Sequence, residues 1–392
     1  FSASARAELT ALELSVSPAS AGEATTQCAS GNKSACSSVT YLELETATAG
    51  FCGERRIGTG GFGDVFVGEP IASLLHADQI AVKRAKPGLD LSDLQKEIEI
   101  LTHSNHPHLL QLLGHCLEAA CLIFPLMKGG SLQSRLDLEP SDLQYLRRMG
   151  HFAEGPVKPL TWRQKIKIVL QALDALHYLH TKVEGCTWHR DFKPANILLD
   201  EHLEAYLGDT GFAKAAQRSG DRSGATTSVW GGAGSLGYCE DALRPADAQT
   251  EGFAVGVTLL VVLTGHDAVD IEQTCEETND NTEFEMIPAE QLARSSAGWP
   301  MAVTDELRLL YLKLTHKRRN RRPLLPHVMQ SLSALLSNQP QAHNHAQATL
   351  RSSTIAPGSV CMPGSQLSQQ VRRMRPSGAS LKQNVAEGFD SL

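Results

Sequence analysis

The chain has 392 residues, of which 42% are hydrophobic, and a formal net charge of −7 at neutral pH. This length fits one large domain or two ordinary ones, and the hydrophobic content suffices for a packed core. An acidic chain is not typical of nucleic-acid-binding proteins, and the basic runs near Lys317 and Arg372 are short enough to be solvated surface. We therefore expect no nucleic-acid partner.

The nine cysteines are widely spread and form no C-x-x-C pair, which is typical of reduced thiols rather than of a disulfide or zinc framework. No signal-peptide pattern is present, and the longest apolar run, residues 253–263, is too short to span a bilayer. We expect a cytoplasmic location and no membrane segment within this chain. The chain begins at Phe1, so an upstream membrane or adaptor region stays open and would place the protein at the cytoplasmic face of a membrane.

Both ends of the chain have compositions that are unsuited to a core. Residues 1–40 are rich in Ala, Ser, Thr and Gly, and residues 338–392 are polar with scattered Gly and Pro. Such segments cannot bury enough apolar surface to fold stably, so we predict a disordered leader and a disordered tail. The predicted domain covers residues 41–337 and begins with a short helix over residues 41–48.

A glycine-rich segment runs from Ile57 to Val65, with glycines at positions 58, 60, 61 and 63. The alternation after Gly63 predicts the second strand of a β-hairpin that has the glycines at its turn. Glycines there let main-chain N–H groups approach phosphate oxygens without obstruction. A glycine-rich turn in a hairpin, rather than at the start of a helix, argues against a Rossmann dinucleotide site.

A lysine follows on the next predicted strand, residues 79–85. The helix after this strand is predicted to start with a capping box at Ser92 and has apolar residues at helical spacing. Glu97 on this helix could reach Lys83 and hold it toward phosphates. Glu99 is the alternative partner, but it lies about 200° further round the helix.

The remaining elements divide the domain into two parts. Apolar strands over residues 109–114 and 120–124 bring the first part to five strands, and residues 125–130 are predicted to connect it to the second. The second part is predicted to be mostly helical, with an extended loop or short helix over residues 137–160. Its main helices are predicted over residues 162–180, 253–264, 305–316 and 324–336.

Residues 189–196, His-Arg-Asp-Phe-Lys-Pro-Ala-Asn, concentrate the groups that phosphoryl transfer needs. That reaction requires alignment of the nucleophile and compensation of phosphate charge. Asp191 can accept a hydroxyl proton, and Lys193 can neutralise charge on the transferred group. Asn196 and Asp209 offer the oxygen ligands that Mg²⁺ prefers. The lysine of the preceding strand, Lys83, would then hold the α- and β-phosphates.

Each of these residues alone has an ordinary structural interpretation. Asp191 could cap a helix, Asp209 could form a turn and Asn196 could be a surface amide. Their order and spacing along one chain favour the functional interpretation.

Together these motifs resemble the catalytic domain of a eukaryotic protein kinase. The resemblance is narrower to the tyrosine-kinase-like group, which includes plant receptor-like kinases, Pelle and the interleukin-1-receptor-associated kinases. It is carried by residues 43–51, 160–164, 177–180 and 320–323. It implies an α+β, two-lobed protein kinase fold. The N-lobe, residues 41–124, would have a five-stranded antiparallel sheet and one main helix; the hinge would be residues 125–130 and the mostly helical C-lobe residues 131–337.

The resemblance also implies an ATP site. The glycines would cover the phosphates, apolar residues would sandwich adenine, and Phe124 resembles the gatekeeper. At the hinge, Pro125 would contribute only its carbonyl and Met127 its N–H, so a proline is chemically allowed. The implied cofactor-binding residues are Ile57, Gly58, Gly60, Gly63, Val65, Ala81, Lys83, Glu97, Phe124, Pro125, Met127 and Leu198.

Two features suggest specificity and regulation. The lysine at position 193, in the segment that resembles the catalytic loop, is a feature that the chain shares with serine/threonine kinases. The arginine at position 190 makes the chain resemble kinases that are regulated through an activation loop, which here would be residues 209–242. Ser235 matches a hydroxyl residue that lies near the catalytic aspartate in the family. The candidate phosphorylation sites are Ser219, Ser223, Thr226, Thr227 and Ser228.

Two departures from the family pattern affect residues that support the catalytic groups. Thr210 stands where the family has an aromatic residue beside the metal-binding aspartate. Glu251 stands where a central-helix aspartate anchors the catalytic loop, and it reaches one methylene further.

A third departure concerns a buried ion pair. Ala242 stands where the family has the glutamate that pairs with Arg322. Arg322 is therefore left unpaired or takes Glu240 or Asp241 as its partner.

The favoured hypothesis is a serine/threonine kinase that uses ATP and Mg²⁺ to phosphorylate protein substrates. The alternative is a pseudokinase signalling scaffold, suggested by the three departures. A small-molecule kinase of related fold is a weaker alternative, because residues 234–238 resemble a peptide-positioning segment.

Overall fold

The structure is a computed structural model. It describes residues 36–60, 63–74, 78–88, 91–149, 158–183, 187–210, 214–215, 235–240, 246–269 and 298–337. These residues form a smaller lobe built on a β-sheet and a larger, mostly helical lobe, as the α+β two-lobed prediction required. Within these ranges, no helix combines the length and apolar character needed to cross a bilayer.

The sheet of the N-lobe has six strands in the order β1-β5-β6-β4-β3-β2. The pairs from β2 to β6 are antiparallel, and β1 is parallel to β5. The strands are β1 (Ser37–Ser38), β2 (Arg56–Thr59), β3 (Gly63–Gly68), β4 (Ile80–Ala85), β5 (Gly114–Cys116) and β6 (Cys121–Pro125).

The edge strand β1 corrects the predicted leader and adds to the predicted five strands. Residues 36–40 form β1 and the start of the next helix, and residues 1–35 lie outside the described ranges. The Val39 N–H donates to the His115 carbonyl at 2.9 Å, and the Val39 side chain is 3% exposed. A two-residue strand has no periodicity that composition could reveal, so tertiary pairing decides this boundary.

Helix α1 (Tyr41–Ala47) confirms the first predicted helix. Its start is a capping box: the Glu43 N–H donates to Thr40 Oγ1 at 3.3 Å, and the Thr40 N–H donates to Glu43 Oε2 at 2.9 Å. Leu44 is fully buried against one face of the sheet. Helix α2 (Leu91–His103) packs on the other face through Leu94 and Leu101.

Two predicted boundaries of the N-lobe were wrong. Helix α2 begins at Leu91, so Ser92 lies inside it and does not cap it. Of the residues predicted as a strand over 109–114, only Gly114 lies in a strand, β5, and Leu113 still donates its N–H to β6. Leu109 forms a bridge with Leu207, and the Leu110 N–H donates to the Leu207 carbonyl at 2.9 Å. The apolar run therefore links the lobes instead of extending the sheet.

The C-lobe is organised around helix α6, which is buried almost all round. It begins five residues earlier than predicted, because Asp247 caps it by accepting from the N–H groups of Gln249 and Thr250. Among the described residues of this lobe, the helices are α3 (Leu132–Asp137), α4 (Pro140–Arg148), α5 (Trp162–Thr181), α6 (Ala248–Thr264), α7 (Met301–Leu314) and α8 (Leu325–Ser337). Helix α4 is the short helix that was one of the two predictions for residues 137–160.

Short strands carry the loops that face the N-lobe. They are β7 (Gly130–Ser131), β8 (Thr187–Trp188), β9 (Ile197–Leu199), β10 (Ala205–Leu207) and β11 (Lys214–Ala215). Strand β9 lies between β10 and β7, and β8 pairs with β11. This arrangement brings the segments after β8 and after β10 side by side.

Candidate active site

Three charged side chains meet between the lobes. Lys83 lies on β4, Glu97 on α2, and Asp209 follows β10. The Lys83 Nζ lies 2.7 Å from Asp209 Oδ1 and 3.4 Å from Glu97 Oε1. The Glu97 side chain is buried, while that of Glu99 is exposed, so the contact with Glu97 follows the helical spacing. One ammonium group thus bridges carboxylates from both lobes.

Burial opposes the charged form of each of these groups, and ion pairing decides the result. For Lys83, desolvation is outweighed by attraction to Glu97 and Asp209, and the pKa is raised. For Asp209, burial is outweighed by the attraction and hydrogen bond of Lys83, which lower the pKa. For Glu97, burial prevails over the attraction of Lys83 and raises the pKa. Lys83 and Asp209 therefore form the more strongly charged pair.

A second cluster is centred on Asp191, which is 2% exposed. Its Oδ2 accepts from Lys193 Nζ at 2.7 Å and from Asn196 Nδ2 at 2.9 Å. Its Oδ1 accepts from the N–H and the hydroxyl of Ser235 at 3.1 and 2.8 Å. Lys193 also donates to the Ser235 hydroxyl. Both carboxylate oxygens are engaged, so the orientation of Asp191 is fixed.

The main chain beside each cluster adopts an unusual conformation. Arg190 has a φ of 69° and Asp209 a φ of 57°. This left-handed region costs a residue with a side chain about 1–2 kcal/mol. The His189 Nε2 donates to the Gly208 carbonyl at 2.9 Å, which ties the two segments together next to these residues. The surrounding contacts thus hold both strained positions.

Glu251, on α6, holds the segment that contains Arg190. Its Oε1 accepts from the Arg190 N–H and its Oε2 accepts from His180 Nε2, both at 2.5 Å. Burial would raise the pKa of this carboxyl, but hydrogen bonding and attraction to His180 prevail and lower it. Glu251 and His180 were both named from the sequence, but their contact was not predicted, because the two residues lie 71 positions apart.

The glycine-rich segment forms the predicted hairpin between β2 and β3. The Gly60 N–H donates to the Gly63 carbonyl at 2.9 Å across the turn. A Cβ at Gly63 would lie 2.0 Å from the Arg84 carbonyl oxygen, so only glycine allows β3 to pair with β4 here. A Cβ at Gly60 would meet nothing within 4 Å, and one at Gly58 only Val65 at 3.8 Å. A side chain at Gly58 or Gly60 would therefore meet no close contact in the described part of the hairpin.

The predicted adenine-site residues lie on the strands beside this hairpin. Ile57 is on β2 and Val65 is on β3 opposite Lys83. Ala81 on β4 lies opposite Phe124 on β6. In the next segment, Pro125 ends β6. Phe124 belongs to an apolar cluster against which Met127 and Leu198 pack, so that cluster includes residues of both lobes and the hinge.

Thr210 is buried, with 2% exposure, and its hydroxyl lies 3.5 Å from Glu97 Oε1. The family pattern had suggested only a lost aromatic contact at this position. The structure shows in addition a weak polar contact to the glutamate that faces Lys83. Sequence reasoning could not find it, because the two residues are 113 positions apart.

Arg322 takes one of the two partners considered from the sequence. Its Nη1 and Nη2 donate to the two carboxylate oxygens of Glu240 at 2.8 and 2.7 Å. Arg319 also pairs with this carboxylate, at 3.5 Å, and with Asp247 at 2.5 Å. The other partner considered, Asp241, lies outside the described residues, as does Ala242.

The donor set fits a divalent cation of the magnesium type. Asn196 uses its amide nitrogen on Asp191, so its oxygen remains for a cation. Asp209 receives Lys83 at Oδ1, which leaves Oδ2. Within the described ranges no group of three or more His, Cys, Asp or Glu side chains is placed to hold a metal. A pair of oxygen ligands suits Mg²⁺, which is commonly held by one or two carboxylates together with substrate phosphates.

Some predicted residues fall outside the described ranges. They include the glycine after Thr210 and the activation-loop candidates Ser219, Ser223, Thr226, Thr227 and Ser228.

Comparisons with known proteins agree with this geometry. The family model described as "Protein kinase domain" matches residues 51–332. U-box domain-containing protein 51 of Arabidopsis thaliana is 30% identical over 292 residues, which cover 72% of this chain and 34% of that protein. The serine/threonine-protein kinase pelle of Drosophila melanogaster is 32% identical over 239 residues, covering 59% and 45%. LysM domain receptor-like kinase 10 of Oryza sativa subsp. japonica is 30% identical over 319 residues, covering 76% and 48%. The chain spans about a third to a half of the length of these relatives.

Proposed function

Because this chain belongs to the protein kinase domain family, we propose that it is a serine/threonine kinase that transfers the γ-phosphoryl group of ATP to protein hydroxyls. The observation that carries the proposal is the arrangement around Asp191. A buried carboxylate lies 2.7 Å from the Lys193 ammonium and accepts a hydroxyl hydrogen bond from Ser235 at 2.8 Å. This is the environment that an acceptor hydroxyl and a transferring phosphoryl group require.

Asp191 orients the acceptor in the proposed reaction. Its Oδ1 already accepts from a serine hydroxyl, and a substrate hydroxyl can make the same contact. As the substrate oxygen bonds to the γ-phosphorus and the bond to the leaving ADP breaks, the hydroxyl proton passes to the Asp191 carboxylate. Lys193 neutralises charge on the transferred group.

The Lys83 cluster binds the nucleotide in this proposal. Lys83 holds the α- and β-phosphates, and Glu97 keeps its ammonium directed toward them. Asn196 and Asp209 hold Mg²⁺, which when bound neutralises the charge of the β- and γ-phosphates. The residues proposed to contact adenine and cover the phosphates are Ile57, Gly58, Gly60, Gly63, Val65, Ala81, Phe124, Pro125, Met127 and Leu198.

The choice of serine and threonine as acceptors is supported by Lys193 and by the similarity to pelle, whose name describes a serine/threonine-protein kinase. The test uses radiolabelled ATP, Mg²⁺ and a general acceptor protein such as casein, followed by identification of the labelled amino acid. We expect phosphoserine and phosphothreonine. Label found on tyrosine alone would overturn this specificity.

The pseudokinase alternative is favoured by one observation. Thr210 fills a buried position where a larger apolar side chain would stabilise the active arrangement, so that arrangement is populated less. The same radiolabel assay separates the two functions. Incorporation that does not exceed the incorporation by Asp191→Asn would leave only the scaffold.

We also propose that phosphorylation within residues 209–242 regulates activity. Arg190, beside Asp191, is half-buried, and burial lowers its pKa. A phosphate near this guanidinium would gain a charge-assisted contact. Mass spectrometry of active protein should find phosphate on this segment, and its removal by a phosphatase should lower turnover.

A further inference from the structure

The short helix α4 packs directly against the hinge. Leu146 is fully buried, and a Cβ at Gly130 would lie 3.1 Å from Leu146 Cδ2 and 3.6 Å from Tyr145 Cε1. Gly130 also has a φ of 78°, a conformation that glycine adopts readily. The glycine therefore allows the helix and the end of the hinge to approach closely.

Tyr145 contacts the hinge residue Met127. Its hydroxyl donates to the Met127 carbonyl at 3.5 Å, and the same carbonyl accepts the Gly130 N–H at 3.2 Å. Burial raises the pKa of Tyr145 to about 12, so the phenol stays protonated and remains a donor at neutral pH. Hydrogen bonds to a carbonyl polarise its peptide groups and fix their orientation.

One turn further along the helix, Arg148 reaches the other lobe. Its Nη2 donates to the main-chain carbonyl of Glu54. Glu54 lies in the short turn Gly53–Arg55, which leads directly into β2 and Gly58. A single helix of the C-lobe therefore contacts both the hinge and the base of the glycine-rich hairpin.

We propose that Tyr145 and Arg148 are positioning residues that fix the separation between the hinge and the glycine-rich hairpin, and thereby the affinity for the nucleotide. The inference rests on the proposed function for its ligand. Two lobes joined by a hinge sample open and closed arrangements, and the nucleotide binds the closed one. A contact that spans the opening makes closure less costly, so its loss lowers the apparent affinity.

The test compares Arg148→Ala with Arg147→Ala. Arg147 is the neighbouring arginine, is exposed, and its side chain makes no hydrogen bond or ion pair to another described residue, so both variants lose the same charge. Calorimetric titration with Mg²⁺ and ADP measures affinity without turnover. Hydrogen exchange over residues 53–59, without nucleotide, reports on the hydrogen bond between Arg148 and the Glu54 carbonyl itself. Tyr145→Phe removes only the phenolic hydroxyl.

We expect Arg148→Ala to weaken ADP binding about threefold to tenfold, the range of one lost hydrogen bond, and to speed exchange over residues 53–59. Tyr145→Phe should weaken binding by a smaller factor, and Arg147→Ala should match the wild type. Equal exchange rates over residues 53–59 in the two arginine variants would show that the Arg148–Glu54 hydrogen bond does not hold this segment. Equal ADP affinities of the two variants would overturn the positioning role. Wild-type protein that binds no ADP would instead contradict the proposed function. The exchange comparison would still show whether the Arg148–Glu54 hydrogen bond holds residues 53–59.

Discussion

Glu240 holds Arg322 through both of its carboxylate oxygens, at 2.7 and 2.8 Å. The Arg322 side chain is 1% exposed, and it also donates to the carbonyls of His316 and Gln249. The segment that ends in Glu240 contains Ser235, which contacts Asp191. The glutamate missing at position 242 is thus replaced from two positions upstream, and the segment that carries Ser235 stays attached to the C-lobe.

Removal of this carboxylate should destabilise the protein. Glu240→Ala leaves a buried guanidinium without its acid, which typically costs about 2–4 kcal/mol. Urea unfolding should show a lower midpoint with an unchanged slope. Glu201→Ala is the control, because the Lys128–Glu201 pair is exposed and longer, at 3.6 Å. A Glu240→Ala midpoint no lower than that of the control would contradict the role given to Glu240.

The two glycines of the hairpin turn should behave differently. Gly63→Ala places a Cβ 2.0 Å from the Arg84 carbonyl oxygen, so β3 and β4 must separate. We expect a loss of about 2 kcal/mol or more in the free energy of unfolding. Gly60→Ala, which meets nothing within 4 Å, should change it by less than about 0.5 kcal/mol. Equal unfolding midpoints for the two variants would contradict the close approach of Gly63 to the Arg84 carbonyl.

Lys83→Met should abolish phosphoryl transfer, because it removes the only ammonium that bridges Glu97 and Asp209 among the described residues. Circular dichroism should show that the variant is still folded. Lys86→Met is the matched control, since Lys86 is exposed just beyond the end of the same strand. Turnover by Lys83→Met at the wild-type rate would remove Lys83 from the site.

Thr210→Phe should raise turnover several-fold, because a ring buries more apolar area beside α2, and such area is worth about 1–3 kcal/mol. Thr210→Val is the comparison. It removes the weak hydroxyl contact to Glu97 without adding a ring, and a change of less than about threefold is expected. A Thr210→Phe variant no faster than the wild type would mean that the missing aromatic residue does not limit activity.

The ionisation of Glu251 should make the free energy of unfolding depend on pH, and Glu251→Gln should remove that dependence. The pKa of this carboxyl is lowered in the folded protein, so its ionised form stabilises the fold. That contribution is fully present above the unfolded pKa, roughly 4.3, and is lost as the pH falls through the lower folded value. The difference in free energy of unfolding between wild type and variant should therefore shrink on acidification below that pH. A difference that grows would contradict the assigned charge.

Local patterns predicted the groups that lie close together in sequence. Helical spacing selected Glu97 over Glu99. Asp191 and Asn196 lie only five positions apart within residues 189–196, so the sequence already placed them close together. The glycines at residues 58–63 predicted the hairpin. In each instance the period of a helix or strand, or a short loop, fixes the geometry.

Contacts between distant segments could not be predicted in this way. The pairing of β1 with β5, the support of Glu251 by His180 and the reach of Arg148 to Glu54 depend on which surfaces meet in the folded chain. None of them alters a local pattern. The position of Leu109 shows the same limit, because an apolar run fits a strand of either lobe equally well.

The central claim is that Asp191 orients an acceptor hydroxyl beside a bound nucleotide. The most direct test is transfer of labelled phosphate to an acceptor protein by the wild type and by Asp191→Asn, with ADP affinity measured for both. We predict that ADP affinity is retained and that transfer falls by roughly 10²–10⁴-fold, the usual contribution of a positioned base. Transfer by Asp191→Asn at the wild-type rate would contradict the account.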